Sequence, residues 1–223
     1  MLRRLIFPVL LGLAGIGLLI SLGVWQVQRM HWKAAILADM DARLLGEAVA
    51  VPQNPNSVAD KFRPVLAAGR FTGETLFVLS GMKDLGGGVQ VIAVLQTNEG
   101  RRLLVDRGFL PDQDKTRPLT ARAVQVLGNL HWPDETTAST PPPDAKTGLW
   151  FARDVPAMAK ALGSESVLIV ARQGTGDGII PRPVDTSTIP NDHWGYAITW
   201  FLLAATWGMM TLALIWRITT RKA

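Results

Sequence analysis

The sequence predicts an α+β membrane protein in which two transmembrane helices flank a small antiparallel β-sheet, rolled into a partial barrel and covered by one or two helices. Two observations predict it. The apolar surplus of this 223-residue chain, 48% hydrophobic overall, is gathered at its two ends. Between them, positions 62 to 171 read as short runs rich in Val, Leu, Ile and Phe, separated by Gly, Asn, Asp or Pro, as strands and turns do.

The first apolar stretch, Leu5 to Val27, follows Arg3 and Arg4 and runs straight into Trp25 and Gln26. A cleaved signal peptide has an apolar region of about 7 to 15 residues and a small-x-small site, so this longer stretch predicts an uncleaved anchor. Next, Ile36, Leu37, Met40 and Leu44 recur at helical spacing with Asp39, Asp41 and Arg43 opposite, so over 33 to 47 the helix continues or restarts as an amphipathic segment that packs on the domain. A Pro/Asn loop over 51 to 60 opens the β part. Six or seven strands are expected within 62–71, 75–81, 89–97, 101–110, 123–130, 148–154 and 166–172, with a tight hairpin at Asn98, Glu99 and Gly100. The Pro-rich segment 133 to 148 predicts an exposed loop. Asp154 is the expected N-cap of a short helix to Leu162, with Pro156 in its first turn. The Gly/Pro-rich residues 174 to 192 read as a tether back to the membrane. The second span, Trp194 to Trp216, has no charged side chain, and at about 1.5 Å per residue reaches roughly 34 Å, enough to cross a bilayer core. The expected division is therefore a tail at 1–4, spans at 5–27 and 194–216, an exported domain at 28–193 and a tail at 217–223.

The net charge of +5 does not predict a nucleic-acid partner, because of where the charges lie. Residues 29 to 192 carry 18 Lys and Arg against 18 Asp and Glu, and the excess is Arg3, Arg4, Arg217, Arg221 and Lys222. All five lie beyond the same ends of the two spans. The positive-inside tendency then puts both termini in the cytoplasm and the middle domain across the membrane, and the absence of an Arg/Ser-rich presequence favours a bacterial plasma membrane over a mitochondrial one.

With no cysteine, metal ligands must come from His, Asp, Glu or Met. His31 and His193 stand at the outer ends of the two spans, at the level where hydrocarbon meets water. Taken alone, each reads as an interfacial side chain hydrated by headgroups. Side-chain catalysis has two near misses. Ser80 and Lys83 match S-x-x-K and Lys146 to Gly148 match K-T-G, the pattern of a periplasmic serine enzyme, but Ser80 sits where a strand meets a Gly-rich turn and no S-D-N element intervenes. Gly174, Gly176 and Gly178 are followed by Ile-Ile-Pro where a dinucleotide cradle needs a helix. Neither supports an enzyme. Arg107, between Asp106 and Gly108, reads as a structural hydrogen-bond clamp before a ligand contact.

Several blocks in order resemble the surfeit-locus family of cytochrome oxidase assembly factors. Gly23, Trp25, Gln26, Arg29, Trp32 and Lys33 match its LGxWQxxRxxWK signature. Gly69 and Phe71 match its G-x-F/Y element, Val105 to Pro111 its V-(D/N)-R-G-aromatic-x-P, and Trp150 and Asp154 its later Trp and Asp. Asn191, His193, Tyr196, Ala197, Trp200 and Phe201 match NxHxxYAxTWF. Two departures are the strand VQVIAVLQ, which lacks the usual Thr-Pro, and Trp194, where leucine is common.

The resemblance implies a non-enzymatic chaperone of respiratory-chain biogenesis that binds haem a as cargo and aids its insertion into the catalytic subunit of an aa3-type cytochrome c oxidase, with a haem a synthase as a possible further partner and membrane lipid around it. It implies His193 as axial ligand to the haem iron, with Tyr196 and Trp200 nearest its face of the helix. Arg29, with Trp25 one turn before it, would pair with a propionate. The alternative is a membrane scaffold that grips the oxidase subunit without haem.

Overall fold

In the computed structural model, which describes residues 2–187 and 189–220, the chain begins as one uninterrupted helix, α1 (Leu2–Leu44). The apolar span and the amphipathic segment are thus one element. The side chains of Arg3 and Arg4, and all of Arg221 and Lys222, lie outside the described residues. The remaining elements are β1 (Val49–Ala50), β2 (Pro64–Met82), β3 (Gly86–Thr97), β4 (Arg102–Pro111), a 3-10 turn (Asp112–Asp114), β5 (Ala123–Leu130), β6 (Leu149–Trp150), α2 (Val155–Leu162), β7 (Leu168–Ala171) and α3 (His193–Thr220). They form two units, residues 1–39 with 186–223, and residues 40–185.

In the first unit, α1 and α3 are both long and apolar enough to cross a membrane, with mean hydropathies of 2.5 and 1.8 over their best windows. Their large side chains face outward, including Phe7, Leu18, Leu202 and Met210. A helix apolar on its outside is at home in lipid, where every backbone group must be satisfied within the helix. What draws the two together is small residues. A Cβ on Gly12 would lie 2.3 Å from Thr211, on Gly15 2.3 Å from Trp207, and on Gly23 2.5 Å from Phe201. With no hydrophobic drive between helices in lipid, such close approach supplies the packing. The pairs descend along α3 as they rise along α1, so the helices are antiparallel.

The second unit is a rolled mixed sheet. Its strand order is β1-β2-β3-β4-β7-β5, and β5 also pairs with the first part of β2, over Pro64–Arg70. The main ladders are antiparallel, but β1 with β2, β2 with β6 and β4 with β7 are parallel, which the expected antiparallel sheet lacked. Two expected strands, 62–71 and 75–81, are one: β2 bends at a bulge between Phe71 and Thr75, where Gly73 takes φ +91°. β3 is buried on both faces. Ala93 and Leu95 join one core with Phe71, Leu103 and Ile169, while Ile92 and Val94 join a second with Leu104, Val155 and Met158 beneath α2. That is why its sequence runs apolar without alternation. Asp154 caps α2 by accepting from the Ala157 amide at 3.0 Å, Pro156 lies in the first turn, and Gly163 closes the helix in the left-handed region, all as expected up to that closure.

The supposed tether is partly domain. Thr175 and Ile179 are buried, and Ile180 exchanges backbone hydrogen bonds with Phe109. The physical reason is Arg107. At the β3–β4 bulge, Val91 faces Gly108 and Ile92 faces Asp106, so Arg107 is the extra residue, turned inward and 1% exposed. Its guanidinium donates to Thr175 Oγ1 and to Asp177 Oδ2, at 2.8 and 2.7 Å, and lies 4.5 Å from the Phe71 ring. A buried cation needs such partners, and Thr175, Gly176 and Asp177 supply its hydrogen bonds among the described residues.

Candidate functional site

The polar end of the helix pair gathers the chemistry. α3 begins at His193, and the antiparallel register set by Gly12, Gly15 and Gly23 brings Gln26 of α1 opposite it. His193 Nδ1 lies 2.8 Å from Gln26 Oε1. An amide oxygen only accepts, so Nδ1–H is the donor in this bond, and in the neutral ring the lone pair then lies on Nε2. Beyond this, Lys33 Nζ donates to the Pro190 carbonyl, tying the approach to α3 onto α1. The side-chain oxygen of Asn191 is buried without a hydrogen-bond partner among the described residues.

Around this pair, Tyr196 is exposed one turn along α3, and Trp200 is half-buried two turns along. On α1, Trp25, Arg29 and Trp32 share one face at helical spacing. The Arg29 guanidinium lies over the Trp32 ring at 3.9 Å, and both tryptophans are about half exposed. The site therefore offers an imidazole, exposed aromatic surface and a cation where the apolar stretch of α1 ends and α3 begins. Chemically, that suits coordination of a metal that brings its own equatorial ring, with apolar and anionic parts to be held. Among the described residues, no group of three or more His, Asp or Glu comes together to cage a bare ion.

The other candidates fall elsewhere. His31 is exposed and five residues past Gln26, so it points roughly 140° around α1 from the side that meets His193. Ser80 lies within β2 opposite Gly88, and its hydroxyl accepts from Arg182 at 2.8 Å, while Lys83 is exposed in the following turn. This is a strand hydroxyl bound to a cation, without the helical S-x-x-K turn that a serine nucleophile uses. Arg107 is the clamp described above.

A second polar cluster lies in the sheet unit. Asp106 is buried and accepts from Gln90, from Arg153 at 3.0 Å and from the Gly108 amide at 3.1 Å. Burial pushes its carboxyl up, against the pull of Arg153. Arg153 also pairs with Glu135. Nearby, His131 stacks on Phe62 with ring centroids 5.4 Å apart, and its Nδ1 is buried without a partner. Burial, then Arg153 and Lys61, hold the ring's pKa down to about 4.

Sequence reasoning matched Gln26 to a signature but gave it no role. Its signal was available: Gln26 follows Gly12, Gly15 and Gly23 on the stripe of small residues, a polar side chain on the packed side of an apolar span.

The family behind these motifs follows from comparison with known proteins. The chain is 30% identical over 209 residues to Surfeit locus protein 1 of Xenopus tropicalis, covering 83% of this chain and 68% of that protein. It is 30% identical to Surfeit locus protein 1 of Homo sapiens, over 83% of this chain and 70% of that one. The SURF1-like protein of Rickettsia felis is 28% identical, over 84% of this chain and 87% of its own length. With a family model matching residues 13–205, from within the first apolar helix to within the last, the chain belongs to the SURF1 family.

Proposed function

We propose that this protein is a membrane-anchored assembly factor for a haem-copper, aa3-type cytochrome c oxidase, and that it holds haem a as cargo for the catalytic subunit through His193. Family membership supports the assembly role. The observation that carries the cargo reading is the bond from His193 to Gln26, which in the neutral ring would leave Nε2 to ligate the haem iron. Tyr196, Trp200 and Trp25 would cover the apolar macrocycle, and Arg29 would pair with a propionate. The haem supplies the redox-active iron, and the protein's part is to bind it, orient it and keep it at the membrane surface. In this reading both termini are cytoplasmic, since Arg217 and the arginines and lysine beyond the spans gather on one side, and the sheet domain is periplasmic. The catalytic subunit is then its partner, with a haem a synthase as a possible further one.

The test is to purify wild-type and His193→Ala protein from a host that makes haem a and record visible spectra. Wild type should carry haem a, and His193→Ala should retain less than about a tenth of it, as loss of a sole ligand does. Equal haem in the two removes His193 as ligand. A wild type that brings down the oxidase subunit without haem makes the protein a scaffold.

A further inference from the structure

We infer that Gln26 is a positioning residue for the cargo site: its amide oxygen keeps the imidazole proton of His193 on Nδ1 and so presents Nε2 to the iron in one tautomer and one ring orientation. This rests on the haem-carrier reading.

Three observations lead to it. Gln26 Oε1 lies 2.8 Å from Nδ1, across 167 residues of chain, so the bond exists only because α1 and α3 pair in this register. That register is held by close contacts. Gly23, three residues before Gln26, lies against Phe201, and Lys33, seven residues after it, reaches the Pro190 carbonyl. Third, Gln26 is half-buried where the apolar stretch of α1 ends, a place where an amide without a partner is costly and a leucine would anchor as well. A ring held by a hydrogen bond at Nδ1 is a more basic and better aimed ligand at Nε2 than a free one. Gln26 touches the ligand residue, not the cargo, so its effect appears in the metal's electronics more than in affinity alone.

The two informative variants are Gln26→Glu, which keeps an acceptor of the same reach and adds charge, and Gln26→Leu, which keeps the volume and removes the acceptor. Each full-length protein is purified with haem a, and the midpoint potential and Soret position are measured against wild type. A carboxylate accepting from Nδ1–H gives the imidazole anionic character, favours ferric iron and lowers the potential. Leucine should raise it and weaken haem retention severalfold. Opposite shifts support the inference, because a role in helix packing alone would not reverse sign with the charge of the acceptor. Potentials equal to wild type in both variants, shifts in the same direction, or haem loss in Gln26→Glu as complete as in Gln26→Leu would each overturn it while leaving His193 as ligand. A wild type that takes up no haem a removes both this inference and the reading beneath it.

Discussion

At the scale of single residues, the sheet unit separates two kinds of buried polar group. Arg107 is partnered: it is bonded to Thr175 and Asp177 and stacked on Phe71. Asp177 takes a left-handed φ of +59° to meet it, a conformation that Asp tolerates better than most residues. Burial would raise the Asp177 carboxyl, but the hydrogen bonds from Arg107 and Thr120 and the charge of Arg107 together outweigh it and hold the group below its ordinary range. His131 is the opposite case, a ring kept neutral with one nitrogen unpartnered and Arg153 and Lys61 nearby. Its folded pKa of about 4 lies below the ordinary 6.5, so between those values the unfolded chain binds the extra proton. Its share of stability is therefore fully present above pH 6.5, is lost as pH falls toward 4, and does not change further below that. Allowing for water at the half-buried ring, the loss should be about 1–2 kcal/mol. His131→Phe, which can keep the stack on Phe62, should flatten that part of the stability-versus-pH curve in calorimetric unfolding. An unaltered slope would show that His131 does not titrate there.

At the scale of elements, the motif blocks acquire separate physical meanings. V-D-R-G-F is a β-bulge: Arg107 is the extra residue, Asp106 accepts from the Gly108 amide, and Gly108 takes φ +117° where a Cβ would meet the Ile180 carbonyl oxygen at 2.0 Å. In G-x-F, Gly69 leaves room for the Gln96 carbonyl, whose oxygen would lie 2.1 Å from a Cβ there, and Phe71 fills the core under Arg107. Trp150 and Asp154 form β6 and the cap of α2. These blocks build the domain, whereas the two at the helix pair build the candidate site. The pair can be tested through its closest contact. Gly23→Leu should overpack against Phe201 at a cost of about 1–3 kcal/mol, and Phe201→Ala should restore most of it. A Gly12→Cys/Thr211→Cys pair reports the outcome, since those positions nearly touch and the chain has no other cysteine. Oxidation should cross-link the parent readily, Gly23→Leu poorly, and the double variant well. Undiminished cross-linking in Gly23→Leu would mean that this contact does not hold the helices.

At the scale of the whole molecule, a neutral sheet domain is carried by a helix pair whose surplus basic residues lie outside the spans. The proposed topology has a direct check. Val58 is 79% exposed in the loop before β2, so Val58→Cys gives a single accessible thiol on the domain. A membrane-impermeant maleimide added to intact spheroplasts should label it fully. Labelling that appears only after lysis would place the domain on the cytoplasmic side and reverse the proposed topology.

The sequence alone determined the two spans, the strand segments, the α2 cap and the family, because each is written in local signals: hydropathy over a window, turn residues between apolar runs, and Asp154 three residues before the amide it caps. It also singled out His193. Only tertiary structure decided what His193 touches, that Arg107 recruits residues 175 to 177 out of an apparent tether, and that β2 serves both β3 and β5. Those facts depend on pairings between residues distant in the chain. Close approach at three glycines sets the register of α1 and α3, and a one-residue bulge aims Arg107. Neither geometry leaves a periodic trace in the residues that it brings together.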